Sequence, residues 1–229
     1  MSLAQYPIFI ICRDRVTCTS KLVDWLEKVG QENIYLVDND STYEPLLEYY
    51  EKTPHNVVKM LGNTGHTGVW LHGVLDKYAA NNYFVVSDPD VLPIEDCPDD
   101  AIDYFRSLLD KYDDRQKVGF GFKLDDIPDH YRFKQAVIDH ETQYLGWGAP
   151  ENNLNYAPID TTFALYRPNA SQDISLSCRT QYPYLTRHLP WYIDSDNPGE
   201  EEEFYIKNAH TRINSWNHID LPFWMGGNR

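Results

Sequence analysis

Tyr83-Phe84-Val85-Val86-Ser87 is the stretch that most restricts how this chain can fold. Its aromatic and β-branched residues make an apolar run of strand length, which reads as a strand buried in a sheet. The run passes directly into Asp88-Pro89-Asp90, so two carboxylates stand one residue apart where the strand leaves the sheet. Like charges that close repel unless protons or a cation neutralise them. A divalent metal carrying a phosphate-containing ligand meets that demand, because hard oxygen ligands suit Mg2+ or Mn2+. Asp and Pro are equally good residues for a plain polar turn, and these three residues alone leave both readings open.

The rest of the first half repeats the strand-then-helix rhythm. Residues 7–12 form a second buried-strand pattern, followed by Leu22, Trp25, Leu26 and Val29 at helical spacing and Gly30 as a stop. Residues 34–37 predict a strand ending in Asp38-Asn39-Asp40-Ser41, and Pro45 suits the first turn of a helix. A short strand is expected over 57–60. Trp70, Val74 and Tyr78 mark a helix before the 83–87 strand, and Ile102, Phe105, Leu109 and Tyr112 mark one after it. A further strand is expected over 118–122. This βαβα order predicts an α/β fold: one domain over 1–229 with a mostly parallel central sheet and helices on both faces. The second half reads differently, as loop from about 124 to 160. A strand follows over 161–166, then an acidic run, Glu200-Glu201-Glu202-Glu203, that opens a helix, since carboxylates favour a first turn.

Composition narrows the partners. The 229 residues carry 20 basic and 35 acidic side chains, a net charge of −15, which opposes binding to nucleic acid. The four cysteines, Cys12, Cys18, Cys97 and Cys178, form no C-x-x-C pair and read as free thiols of a reducing compartment. No signal peptide or membrane-length apolar run is visible, so a cytoplasmic protein is expected.

Three strand ends deliver polar groups that should cluster: Arg13, Asp14 and Arg15 from the first, Asp38 from the second, Asp88 and Asp90 from the fourth. Between them lies the turn Gly62-Asn63-Thr64-Gly65-His66-Thr67-Gly68, whose glycines permit close backbone approach to a ligand. It matches neither a Walker loop nor a dinucleotide fingerprint. In this order the motifs resemble the glycosyltransferase A fold, the nucleotide-diphosphosugar transferases that include the family-two enzymes, with Asp88-Pro89-Asp90 matching their DxD motif. The likeness covers roughly the first 125 residues well and the rest loosely.

That resemblance implies a Rossmann-like donor half over 1–125 and an acceptor half over 126–229. It implies that Asp38 contacts the nucleoside, that Arg13 or Arg15 lies near the nucleotide or its phosphates, and that Asn63 and Gly65 belong to the donor site. Asp88 would help hold ribose and metal, Asp90 would bind the metal directly, and His188 or His210 would add a metal or diphosphate contact. The donor would be a nucleotide diphosphosugar, a UDP-sugar by resemblance, with Mn2+ or Mg2+, and the acceptor a carbohydrate or other hydroxyl compound. Asp160 is the first choice for a general base because it opens the 161–166 strand, with Glu201 and Glu202 next; the same Glu run also reads as a solvated helix start. Trp147, Trp191 and Trp224 could stack on sugar rings or fill the core. A sugar-phosphate nucleotidyltransferase and a non-catalytic carbohydrate-binding module remain as alternatives. The first lacks its usual glycine- and Arg-rich loop after Cys12, and the second leaves the strand-end carboxylates unexplained.

Overall fold

The computed structural model describes residues 5–146, 154–209, 216–217, 219–222 and 225; Trp147, His210 and Trp224 lie outside them. The first half runs β1 (Ile8–Cys12), α1 (Val16–Lys28), β2 (Ile34–Asp38), α2 (Glu44–Lys52), β3 (Asn56–Lys59), α3 (Gly68–Leu71), α4 (Val74–Tyr78), β4 (Phe84–Ser87), β5 (Val91–Pro93) and α5 (Ala101–Lys111). It continues through β6 (Lys117–Gly119), β7 (Gly121–Phe122), α6 (Lys134–Thr142), β8 (Leu154–Asn155), β9 (Ala164–Tyr166), β10 (Ser177–Thr180), β11 (Leu185–His188) and α7 (Glu200–Asn208).

Eight strands form one sheet in the order β3-β2-β1-β4-β9-β6-β10-β8. Four of its seven pairings are parallel, and β9 enters between β4 and β6 antiparallel to both. The apolar runs lack polar alternation because both faces of the sheet are covered. Ile8, Ile10 and Cys12 of β1 join the cluster formed with α1, α2 and α5, whereas Phe9 and Ile11 join the cluster with Val69 of α3 and Val74 of α4. The expected α/β fold with helices on both faces is therefore present.

A second sheet of three strands, β5-β11-β7, sits beside the first and carries part of the site. The expected 118–122 strand is divided between the two sheets. Phe120 stays buried at the crossing, and the flanking glycines let backbones meet: a Cβ on Gly119 would lie 2.4 Å from the Phe163 carbonyl oxygen, and one on Gly121 2.2 Å from that of Thr180.

Other expectations shift in register or kind. The helix marked by Trp70, Val74 and Tyr78 is two short helices broken at His72–Gly73. The strand expected over 161–166 begins at Ala164, because Thr161 is drawn aside by hydrogen bonds to Asp88. The stretch read as loop contains α6, which buries only Val137 and Glu141 and so shows little helical periodicity. Strand β10 is polar in sequence yet mostly buried; Ser177 bonds to Ala157 and Ile174 carbonyls and Thr180 to Gly119 and Tyr184 carbonyls, which satisfies groups that would otherwise exclude it from a core. No described helix is long and apolar enough to cross a membrane.

Candidate donor site at the end of β4

Parallel pairing puts the carboxyl ends of β1, β2 and β4 at one edge, with Cys12 opposite Asp38 and Ile10 opposite Ser87. A cavity of about 130 Å3 opens there, lined among others by Arg13, Arg15, Asn63, Gly65, Asp88, Asp90 and His188. Seven residues singled out from the sequence thus meet in one place. Asp38, Asp160, Glu201 and Glu202 do not line it.

The β1 end is held rigidly. Asp14 adopts a left-handed backbone (φ 50°), and its buried Oδ1 accepts the Thr42 and Tyr43 amides at 2.6 and 2.9 Å. This turn presents Arg13 and Arg15 on either side of it. Arg13 Nη1 donates to the Asn39 and Asp40 carbonyls at 2.7 and 2.8 Å. Asn39 in turn organises the glycine turn: its Oδ1 accepts from Thr64 N and Oγ1, and its Nδ2 donates to Asn63 Oδ1 and the Gly65 carbonyl. Gly65 has φ 69°, a conformation that glycine adopts without strain. Asp38 is engaged elsewhere: its Oδ1 accepts from Ser41 N at 3.1 Å and Tyr50 OH at 3.3 Å.

Asp90 occupies the centre. Its Oδ2 accepts from Arg15 Nη1 at 2.8 Å and lies 3.6 Å from His188 Nε2, while its buried Oδ1 has no hydrogen-bond partner. His188 reaches it because β11 runs antiparallel to β5, placing His188 opposite Val91, with the Leu189 amide on the Asp90 carbonyl. His188 is held below its usual pKa by burial, with the Arg15 charge adding to the fall against the pull of Asp90, so the ring is neutral at neutral pH; its buried Nδ1 also lacks a partner. Burial, then Asp90 and Asp160, push the Asp88 carboxyl well above the ordinary carboxylate range, against the hydrogen bond from Thr161 Oγ1 and the Arg15 charge. Arg15 is almost fully buried (4% exposed): burial opposes its charge, but Glu202, Tyr205 and Asp90 outweigh it and raise its pKa. Its guanidinium stacks 3.7 Å from the Tyr205 ring centroid.

Two acids of the α7 run are tied to the β1 end. Glu201 Oε1 accepts the Val16 and Thr17 amides at the start of α1, and Glu202 pairs with Arg15. Asp160 is exposed; its Oδ1 accepts from Thr162 N and Oγ1 at 3.2 and 3.1 Å. Sequence reasoning missed Tyr205 and Trp216, which also line the cavity. Helical spacing within α7 could have found Tyr205, three residues after Glu202 on the same face. Trp191 is 1% exposed and packs on His188 at a centroid separation of 4.7 Å, as part of a core cluster with Trp216.

The donor set tests what the cavity can hold. Among the described residues, no three His, Cys, Asp or Glu side chains are arranged to hold a metal by themselves. An Asp90 carboxylate with one oxygen unpartnered, lining the cavity with His188 and Asp88, fits a cation that takes its remaining ligands from a bound phosphate, the usual habit of Mg2+ in nucleotide sites.

No family model and no curated protein sequence matches the chain. Among solved structures it is similar to the mannosyltransferase PcManGT from Pyrobaculum calidifontis in complex with GDP-Man and Mn2+, at 12% identity and a TM-score of 0.51, over 91% of this chain and 66% of that one. It also aligns with TarS 1–349 of S. aureus at 15% identity and a TM-score of 0.43, over 72% of this chain and 47% of that one. The chain thus spans just under two thirds of the mannosyltransferase and about half of the TarS fragment. With the sheet order and the cavity at the end of β4, the first similarity gives the chain a glycosyltransferase fold.

Proposed function

We propose that this protein transfers a glycosyl group from a nucleotide diphosphosugar to a hydroxyl acceptor, with the donor diphosphate and a divalent cation held at the end of β4. The observation that carries the reading is that Asp90, whose buried Oδ1 has no hydrogen-bond partner, lines a cavity together with Asp88, Arg15 and His188. Arg15 is already neutralised by Asp90 and Glu202, so it leaves little charge for a diphosphate. A cation supplies the positive charge that a diphosphate beside Asp88 and Asp90 requires. Asp90 with His188, and Asp88 beside them, would hold Mn2+ or Mg2+, which when bound stabilises charge on the departing diphosphate.

The chain's own groups supply orientation and proton transfer. Arg15 fixes the Asp90 carboxylate from behind. Arg13, Asn63 and Gly65 shape the wall against which the nucleoside lies, and Asp38 supports that wall through the loop at Ser41. Asp160 is the proposed general base: Thr162 orients one carboxylate oxygen, and no described side chain engages the other. Glu201 and Glu202, the other candidates, are engaged by α1 amides and Arg15. Residues 1–125 form the donor half and 126–229 the acceptor half, where a carbohydrate hydroxyl is the expected acceptor. The family resemblance implies a UDP-sugar, whereas the similar mannosyltransferase is seen with GDP-Man.

Calorimetric titration tests the reading. UDP and GDP are titrated with Mn2+ and again with EDTA, for the wild type and Asp90→Asn. Metal-dependent binding of one nucleotide, abolished by Asp90→Asn, is the expected result, with nucleoside diphosphate released from the matching sugar donor. Equal affinity with and without metal, or pyrophosphate as product, sinks it.

A further inference from the structure

Lys117 is the anomaly of the core. It lies in β6 with 1% of its surface exposed, among the largest fully buried side chains of the protein. No carboxylate among the described residues forms an ion pair with it. Its Nζ donates to the Asp160 carbonyl at 3.4 Å and to Tyr166 OH at 3.3 Å, and lies 4.8 Å from the Tyr166 ring centroid. Tyr166 OH donates to the same Asp160 carbonyl at 3.0 Å. An apolar side chain of equal length would fill this volume without desolvating an ammonium. The role of the charge therefore has to be sought in what it touches.

What it touches is the underside of the Asp160–Thr162 turn. On the other side, Thr161 receives the Asp88 amide on its carbonyl at 2.8 Å and donates through Oγ1 to Asp88 Oδ2. Asp160 Oδ1 takes the Thr162 amide and hydroxyl. The turn is thus gripped from below by Lys117 and Tyr166 and from above by the first acid of the Asp-Pro-Asp motif.

We propose that Lys117 is a positioning residue: acting with Tyr166 through the Asp160 carbonyl, its ammonium sets the turn that aims the Asp160 carboxylate and holds Asp88. This rests on the reading of Asp160 and Asp88 as site residues given above. The titratable groups facing the ammonium are Tyr166 from β9, Asp160 from the turn and Asp173 from the loop before β10. Burial lowers the Lys117 pKa to about 8, with Asp160 and Asp173 opposing the fall. The grip should therefore weaken as pH rises through that value.

The test compares wild type with Lys117→Met, Lys117→Arg and Tyr166→Phe by amide hydrogen exchange and by nucleoside diphosphate release from UDP-glucose, UDP-N-acetylglucosamine and GDP-mannose with Mn2+. In Lys117→Met the Asp88 and Thr162 amides should exchange about tenfold faster while amides of β1 keep their protection. Turnover should fall about tenfold and donor KM should rise with it, because the loosened turn carries Asp88 of the donor site as well as the Asp160 carboxylate. Lys117→Arg should restore protection and move the alkaline limb of turnover above pH 8. Tyr166→Phe, which keeps the charge and removes one hydrogen bond, should loosen the same amides less, and it carries the test should the methionine variant not fold. Unchanged exchange at Asp88 and Thr162 overturns the proposal whatever happens to turnover. Faster exchange together with a wild type that consumes no donor sustains the positioning role and removes the transferase reading instead.

Discussion

Glu202 and Arg15, 187 residues apart in the chain, form a fork-like ion pair: Nη2 donates to Oε1 and Oε2 at 2.8 and 2.7 Å, and Nε donates to Oε2 at 3.0 Å. Arg15 Nη1 donates at the same time to Asp90 Oδ2. One guanidinium therefore couples α7, from the late chain, to the second acid of the strand-end motif. Both partners of the pair are about 5% exposed at the side chain, so neither charge is relieved by water.

The first consequence concerns Glu202. Removing one member of a buried pair strands the other, at a typical cost of about 3–5 kcal/mol. Glu202→Ala should lower unfolding stability by that order in urea titration at pH 7. Glu202→Gln, which keeps an acceptor oxygen for the guanidinium, should cost less. In both variants the freed Arg15 has only Asp90 left to pair with, and Mn2+-dependent nucleotide affinity should fall along with stability. A Glu202→Gln protein of wild-type stability that has lost turnover alone would return Glu202 to the role of general base.

How much of this was legible in the sequence depends on how local each signal is. Strands β1, β2 and β4 were readable because residues buried on both faces leave a run of apolar side chains, and the carboxylates after β4 interrupt that run abruptly. The clustering of Arg13, Arg15, Asn63, Gly65, Asp88 and Asp90 follows from parallel pairing, which brings the same ends of different strands together. The partnership of Glu202 was not legible. A run of four glutamates looks like a solvated helix start by composition, and only the fold shows that one of them is turned inward onto Arg15. Lys117 was hidden in the same way, as a lysine at the edge of an apolar run reads as a strand end in water. Strand β10 escaped because its burial is sustained by hydrogen bonds rather than by apolar side chains.

Asp38 provides a second prediction, in which stability and binding separate. Its Oδ1 receives Ser41 N and Tyr50 OH, and both Asp38 and Tyr50 are buried. Asp38→Ala should cost about 1.5–3 kcal/mol of stability, the worth of hydrogen bonds to a charged group. The loss in UDP or GDP affinity should be smaller, because the carboxylate acts through the loop rather than from the cavity wall. Calorimetry and urea unfolding on the same variant measure both. A larger loss in affinity than in stability would place Asp38 in direct contact with the nucleoside.

The last prediction is a pH dependence of stability with a worked sign. Burial raises the thiols of Cys12, Cys97 and Cys178 from 9.0 to about 12. A group whose folded pKa lies above its unfolded value contributes stability that is complete below the unfolded pKa and is lost as pH climbs toward the folded one. Each of these thiols should therefore cost the fold about 1.4 kcal/mol per pH unit above pH 9. Lys117 has the opposite sign, because its folded pKa of about 8 lies below 10.5 and its burial becomes less costly over that interval. One lysine offsets one thiol, so the balance still falls between pH 9 and 10.5. Urea unfolding at pH 8 and pH 10 should show that loss in the wild type. In Cys178→Ala the starting stability is lower, since a buried side chain is truncated, but the loss between the two pH values should shrink by about 1.4 kcal/mol. Equal losses in the two proteins would mean that the Cys178 thiol titrates in the folded state as it does in the open chain, and that burial at β10 does not control it.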